Sequence, residues 1–289
     1  MSSARRASLR TLLRPGAGVL IPGAANALAA RIAEAAGFEA VILTGAGLAN
    51  TFLGVPDLGL TSVTEVADNV AAMHEAVSIP IIADGDTGFG NALNLRRTVR
   101  VFERAGADAI QLEDQVFPKR CGHFEGKQVV SRAEMVQKVK AAVDARRGEL
   151  LILARTDARA MEGLDAALER AAAYLEAGAD LIFVEAPQST EELAAIPRGL
   201  KAVHLCNMVY GGRTPLLPRE QLASMGYAGI FYANAALQAS MLAMQKVLGH
   251  LKAHGSLEGA GELLVSFDDR QKIVDYDAHK DLERRYTGA

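Results

Sequence analysis

The chain has 289 residues, a formal charge of −3 and hydrophobic residues at 50% of positions, which excludes a disordered polar tract and leaves no basic stripe for nucleic acid. No apolar run reaches the roughly 18 residues that cross a membrane. Two cysteines, Cys121 and Cys206, are too few for a disulfide scaffold. The N-terminal stretch carries Arg5, Arg6, Arg10 and Arg14 but lacks the continuous apolar core of a secretory signal, so a cytoplasmic protein with reduced thiols is expected.

Short apolar runs recur at 19–22, 40–43, 79–83, 109–112, 150–154, 181–184, 202–205 and 229–232. Runs this short fit strands buried on both faces, as in a parallel sheet. Helical patterns follow most of them, at 24–36, 64–76, 94–105, 132–147, 164–177 and 219–225. Gly37, Gly106, Gly178 and Gly226 each stand between a helical pattern and the next strand, where glycine supplies a left-handed cap. Helix starts are marked by Thr61-Ser62-Val63-Thr64-Glu65 and by Ser131-Arg132-Ala133-Glu134, the second reading as a capping box.

Eight alternating units predict a (β/α)8 barrel; an open doubly wound sheet has the same local pattern. Gly45-Ala46-Gly47-Leu48-Ala49-Asn50 half resembles a dinucleotide fingerprint, but Asn50 replaces the third glycine and no acidic residue ends the next strand at the right distance. Two further helical stretches, 235–254 and 261–286, follow the last strand. The second is long and charged, and packing on a neighbouring subunit is expected. The whole chain reads as one barrel domain, 1–289, with an active-site loop at about 114–131 and a helical extension from about 255.

A barrel places its chemistry at the C-terminal ends of its strands. Polar residues collect there: Thr44-Gly45, Asp84-Gly85-Asp86, Glu113-Asp114, Arg155-Thr156-Asp157, Glu185 and Asn207. On an extended chain Asp84 and Asp86 point to the same side. With Glu113 they form a hard oxygen cluster that suits Mg2+ or Mn2+, not Zn2+. Arg155 faces that mouth, free by spacing either to pair with a protein carboxylate or to grip a substrate carboxylate. The segment after the fourth strand has two glycines, a proline and clustered cations, the composition of a mobile lid. Within it Cys121 lies among Lys119, Arg120 and His123, which favour thiolate. Cys206 sits in an apolar strand and reads as core. His250 and His254 are four apart on a helix without an evident third ligand.

Taken together, Thr44-Gly45, Pro56-Asp57-Leu58-Gly59, Asp84-Gly85-Asp86-Thr87-Gly88-Phe89-Gly90, Glu113-Asp114-Gln115, Lys119-Arg120-Cys121-Gly122-His123, Ala154-Arg155-Thr156-Asp157 and Asn207-Met208-Val209-Tyr210-Gly211-Gly212 resemble the isocitrate lyase/phosphoenolpyruvate mutase superfamily. The loop at 119–123 marks its carbon–carbon lyase branch.

The resemblance implies a (β/α)8 barrel with a Mg2+ site, a gating loop and a homotetramer with swapped C-terminal helices. It implies Asp84 as direct metal ligand, Asp86 and Glu113 holding metal-bound waters, and Asp57 nearby. Thr44, Gly45 and Ala46 would bind a substrate carboxylate, Arg155 the 2-hydroxy or 2-oxo acid end, and Gly122, Glu185 and Asn207 would complete the pocket. Lys119, Arg120 and His123 would stabilise a departing enolate that Cys121 protonates.

Methylisocitrate lyases carry Tyr, Arg and Glu-Phe-Gly where this chain has Ile42, Phe124 and Tyr210-Gly211. Losing an Arg disfavours a third substrate carboxylate, which orders 2,3-dimethylmalate ahead of 2-methylisocitrate. The competing expectations are oxaloacetate decarboxylation or hydrolysis, phosphorus–carbon mutase chemistry, or a non-catalytic binding barrel.

Overall fold

The computed structural model describes residues 9–120, 122 and 126–287. Eight strands, β1 (Val19–Ala24), β2 (Val41–Leu43), β3 (Ile81–Asp84), β4 (Ala109–Glu113), β5 (Leu151–Thr156), β6 (Leu181–Val184), β7 (His204–Asn207) and β8 (Tyr227–Tyr232), pair in parallel in chain order. β8 returns to β1 with Val19 opposite Gly229, closing the barrel. Several strands end later than the apolar runs: β3 includes Asp84, β4 includes Glu113 and β7 includes Asn207. The last rung of the barrel therefore carries polar side chains.

Strand parity sorts the rest. Ile42, Ile82, Ala109, Leu151, Leu153, Leu181, Phe183 and Leu205 pack together inside the barrel. Val41, Leu43, Ile81, Ala83, Ile110, Leu112, Ile152, Ala154, Ile182 and Val184 pack outward against the helices. Because a strand repeats every two residues, the inward parity continues to Thr44, Asp84, Gln111, Glu113, Arg155, Asp157, Glu185 and Asn207. The polar residues at the mouth thus continue the same rows that fill the interior below.

Helices Ala27–Ala35, Val63–Ala76, Ala92–Ala105, Arg132–Ala145, Leu164–Glu176, Thr190–Gly199 and Arg219–Met225 surround the strands. The four expected cap glycines are all left-handed, with φ of 87° at Gly37, 96° at Gly106, 103° at Gly178 and 111° at Gly226. The capping boxes differ from expectation. Ser62 and Glu65 form a complete reciprocal box, as do Asn91 and Asn94. Ser131 accepts from Glu134 N at 3.1 Å without the reciprocal bond, so that helix has an N-cap only. Thr190–Gly199 carries Pro197 inside it, which breaks the usual helical signature.

Between β4 and helix Arg132–Ala145 the chain runs out and back. Val116 N donates to Gln128 O and Val130 N to Asp114 O, both at 2.8 Å, zipping the two limbs of the loop at its base.

After β8, Ala235–His254 is a helix with no buried residues. The expected single helix over 261–286 is instead a 3-10 turn and two helices, Phe267–Ile273 and Tyr276–Thr287. Ser266 starts the first by accepting from Asp269 N at 3.0 Å, and Asp275, at φ 60°, interrupts the chain before the second. These helices leave Met241, Leu242, Met244, Leu248, Phe267, Leu282 and Tyr286 exposed. Among the described residues no helix is long and apolar enough to cross a membrane. Cys206 is buried in the core, and burial pushes its thiol well up.

Candidate active site

A cavity of about 50 Å³ lies at the C-terminal mouth of the barrel, lined by Thr44, Ala46, Asp57, Asp84, Lys119, Gly122, Arg155, Glu185 and Asn207. Ile42, Phe183, Phe231 and Ala233 supply its apolar wall. Nine of the expected site residues meet here. Arg120 is exposed and does not line this cavity; it borders a larger recess of about 540 Å³ with Phe117 and Lys127. Its backbone is held by Gln115, which accepts from Arg120 N at 3.0 Å and donates to Arg120 O at 2.8 Å. Cys121 and His123, expected as catalytic residues, lie outside the described residues, as does Phe124.

Thr44 ends β2 as an N-cap: its Oγ1 accepts from Gly47 N at 2.9 Å and starts the short helix Gly45–Leu48. Gly45 N donates to Asp84 Oδ2 at 3.1 Å. That N–H, expected to face a substrate carboxylate, is committed to the protein because β2 and β3 are neighbours and Asp84 is the last residue of its strand. A Cβ at Gly45 would stand 3.1 Å from Asp84 Oδ2 and 3.3 Å from Asp86 Oδ1, so glycine lets both carboxylates close over this turn.

Asp84 and Asp86 are not side by side on an extended strand. Asp86 has φ 47°, and its N–H donates to Asp84 Oδ1 at 3.1 Å, so the chain turns immediately after β3. Gln111 Nε2 donates to the same oxygen at 3.3 Å.

Lys119 enters this cluster. Its ammonium lies 2.5 Å from Asp57 Oδ1 and 3.0 Å from Asp86 Oδ1. Burial alone would lower the lysine pKa, but Asp86, Glu113, Asp57 and Asp84 override it and hold the ammonium charged. Burial raises Asp86 to about 6, against the pull of Lys119 and with added repulsion from Asp84 and Asp57.

Arg155 is surrounded by carboxylates. Nε and Nη2 hold the two oxygens of Asp157 at 2.8 and 3.1 Å, Nη2 reaches Glu185 Oε2 at 3.0 Å, and Nη1 reaches Glu113 Oε2 at 3.4 Å. Its guanidinium also lies 5.4 Å from the Phe183 ring centroid. Of the two readings open to Arg155, ion pairing within the protein is the one this conformation displays. Burial raises the Glu113 carboxyl well above its ordinary value, only partly offset by Arg155.

Three partners were not anticipated as site residues. Asp157 is fully buried and pairs with both Arg155 and Lys127. Lys127 Nζ is 2.8 Å from Asp157 Oδ1 and donates to Gly122 O at 2.6 Å. Asp114 points outward behind the site, accepting from Thr156 Oγ1 and Tyr174 OH at 2.7 Å each and from Asp157 N at 2.9 Å. Asp157 and Asp114 follow strand ends and were visible as such. Nothing in a loop lysine of the sequence signals the burial of Lys127.

Among the described residues no three acidic, histidine or cysteine side chains stand together as a ready ion site. Asp84, Asp86 and Glu113 are gathered at one mouth, but Lys119 occupies the space between Asp57 and Asp86 and Arg155 draws Glu113 away. The donor chemistry still fits a hard cation: every acidic donor here is a carboxylate, and the buried Glu113 Oε1 has no hydrogen-bond partner. His250 and His254 lie with ring centroids 4.5 Å apart, tilted at 49°, on the exposed helix, His250 bonding to Glu258 O.

The sequence profile described as phosphoenolpyruvate phosphomutase matches residues 9–252. A 2,3-dimethylmalate lyase of Eubacterium barkeri is 44% identical over 282 residues, covering 97% of this chain and 98% of the relative. A 2-methylisocitrate lyase of Aeropyrum pernix is 43% identical over 277 residues, covering 96% and 88%. Among solved structures, oxaloacetate acetylhydrolase in complex with 3,3-difluorooxalacetate superposes with TM-score 0.92 at 31% identity, covering 100% and 98%. Phosphonopyruvate hydrolase in complex with oxalate and Mg2+ superposes with TM-score 0.87 at 29% identity, covering 98% and 99%.

Proposed function

The chain belongs to the phosphoenolpyruvate mutase/isocitrate lyase superfamily, and from that premise we propose that it is a Mg2+-dependent carbon–carbon lyase. Its reaction cleaves the C2–C3 bond of a 2-hydroxydicarboxylate, with 2,3-dimethylmalate ahead of 2-methylisocitrate, to a 2-oxo acid such as pyruvate and a carboxylate. The observation that carries this reading is the convergence of Thr44, Asp57, Asp84, Lys119, Gly122, Arg155, Glu185 and Asn207 on one cavity, with Lys119 and Gly122 belonging to the Lys-Arg-Cys-Gly-His run of the sequence.

Asp84, Asp86 and Glu113 would hold the cation, Mg2+ or Mn2+, directly or through water. When bound, such a cation lowers the pKa of a chelated 2-hydroxyl and so prepares it for proton loss. Arg155 and Thr44 orient the end of the substrate that becomes the 2-oxo acid, with Ala46 N–H, Glu185 and Asn207 completing the pocket. Lys119, buried and charged, stands where negative charge develops on the departing half as the C2–C3 bond breaks. Arg120 and His123 add cationic character from the loop. Cys121 delivers the proton that quenches the enolate carbon.

The apolar wall of Ile42, Phe183, Phe231 and Ala233 suits alkyl substituents rather than a third carboxylate, which favours a dialkylmalate. Relatives of both names are almost equally similar, at 44% and 43% identity, so the wall and the departures at Ile42 and Phe124 carry the ordering. The loop at about 114–131, with its glycines, proline and clustered cations, is read as moving to admit substrate. The exposed apolar residues of Ala235–His254 and of the two last helices support assembly into a homotetramer with exchanged C-terminal helices. A cytoplasmic location belongs to the same reading.

Oxaloacetate chemistry is the second reading, favoured by the likeness to oxaloacetate acetylhydrolase. Assaying 2-oxo acid release from 2,3-dimethylmalate, 2-methylisocitrate, citramalate and isocitrate, and turnover of oxaloacetate, separates the two. The lyase reading expects the highest kcat/KM with 2,3-dimethylmalate. Strong preference for 2-methylisocitrate would reverse the substrate order, and turnover of oxaloacetate alone would replace the reaction.

A further inference from the structure

Lys127 is a buried cation beside the site to which the proposed chemistry gives no task. It lies on the returning limb of the loop, and its side chain is only 2% exposed. Burying a lysine costs rotamer freedom in addition to desolvation of the ammonium. Lys127 does not line the mouth cavity. Its ammonium instead joins two parts of the protein, donating to Gly122 O at 2.6 Å and to Asp157 Oδ1 at 2.8 Å.

Both acceptors are themselves fixed. Asp157 is held through both oxygens by Arg155 and through its backbone N–H by Asp114. Gly122 is packed so closely on the barrel that an added Cβ would collide with Arg155 Nη2 and the Glu185 side chain. Arg155 divides its charge among Asp157, Glu185 and Glu113, so Lys127 also serves Asp157 as a counter-ion. The bond to the Gly122 carbonyl is the part of its geometry that a simple counter-ion would not need.

We infer that Lys127 is a positioning residue that fastens the Gly122 peptide to Asp157, and so holds Gly122 against Arg155 and Glu185. The effect on turnover rests on the lyase reading; the fastening does not. A displacement of about 1 Å at reacting groups costs on the order of 10²-fold in rate, so a single well-placed tether suffices.

The test compares wild type with Lys127→Met and Lys127→Arg. Methionine keeps length and fills the same space, and Asp157 retains Arg155 as partner, so the variant is suited to fold. Hydrogen exchange of backbone amides in a peptide spanning 115–130 is followed without substrate, and kcat and KM are measured on the preferred substrate. In Lys127→Met the loop amides exchange at least about 10-fold faster while those of β4 and β5 are unchanged. In the same variant kcat falls about 10²-fold with KM moving less than about threefold. Lys127→Arg recovers part of both effects. Unchanged loop exchange overturns the fastening, and uniform acceleration across the barrel overturns it in favour of a general stability role. Faster loop exchange with wild-type kcat overturns the positioning role. If the wild type cleaves no 2-hydroxy acid, the lyase reading fails, and the exchange measurement still decides the fastening.

Discussion

Glu113 and Arg155 are register partners on β4 and β5, and the pairing brings Arg155 Nη1 to 3.4 Å from Glu113 Oε2. Both are the inward residues of their rungs, so the ion pair is a direct product of strand parity at the barrel mouth. Through Asp157 and Glu185 the same guanidinium gathers the acidic ends of β5 and β6. Removing it leaves three buried carboxylates without their shared cation.

Arg155→Ala is therefore expected to destabilise the fold by about 3–5 kcal/mol, the cost of breaking a buried ion pair from one side. Arg155→Lys keeps a charge but loses the fork, and should retain the fold while kcat/KM drops at least about 10²-fold. Urea denaturation alongside steady-state kinetics checks both; wild-type kcat/KM in the lysine variant would remove Arg155 from substrate orientation.

Asp157 gives a pH signature. Burial alone would raise its carboxyl, but Arg155 and Lys127 outweigh burial and hold it at about 2, below the ordinary 3.8. A carboxyl whose folded pKa is depressed stabilises the fold above its unfolded value and loses that contribution as pH falls through the folded value. The stability difference between wild type and Asp157→Asn should be constant from pH 7 to about 5 and shrink between about pH 4 and 2. Denaturation curves at stepped pH measure it, and a difference that shrinks instead near pH 6 would contradict the assignment.

Tyr174 should matter for stability and not for chemistry. Its hydroxyl bonds to Asp114 Oδ2 at 2.7 Å on the outer face of the barrel, away from the cavity. Tyr174→Phe is expected to cost about 1–3 kcal/mol in chemical denaturation with kcat/KM within about twofold of wild type. A large loss of kcat/KM would show that the outer network reaches the substrate.

Much of this architecture was legible in the chain because burial and turning leave periodic marks. The eight apolar runs became the eight strands, and Gly37, Gly106, Gly178 and Gly226 became left-handed caps, since few other residues adopt that backbone cheaply. Polar residues at the ends of six of the eight runs marked the mouth. Pairing across strands was less legible, because it depends on register: the contacts of Arg155 with Glu113 and Glu185 follow from how β4, β5 and β6 align. Helix Thr190–Gly199 was obscured by Pro197, and the interruption at Asp275 has no glycine or proline to announce it. Lys119 between Asp57 and Asp86 reflects a tertiary approach of loop to strand end that no local pattern encodes.

Removal of divalent cations tests the carboxylate cluster. Treatment with EDTA should abolish turnover, and Mg2+ or Mn2+ should restore it, as expected of oxygen donors. Glu113→Gln should weaken Mn2+ binding, read by paramagnetic resonance without substrate, by about 10-fold or more. Unchanged Mn2+ affinity in that variant would place the cation elsewhere.

Mg2+-dependent pyruvate release from 2,3-dimethylmalate by wild type and by Cys121→Ala decides whether this protein is a carbon–carbon lyase. Wild type is expected to release pyruvate and the variant to lose about 10²–10⁴-fold in rate, the range of a missing general acid. Turnover of oxaloacetate alone, at the same rate in both proteins, would contradict the lyase reading and leave the loop cysteine without its assigned proton transfer.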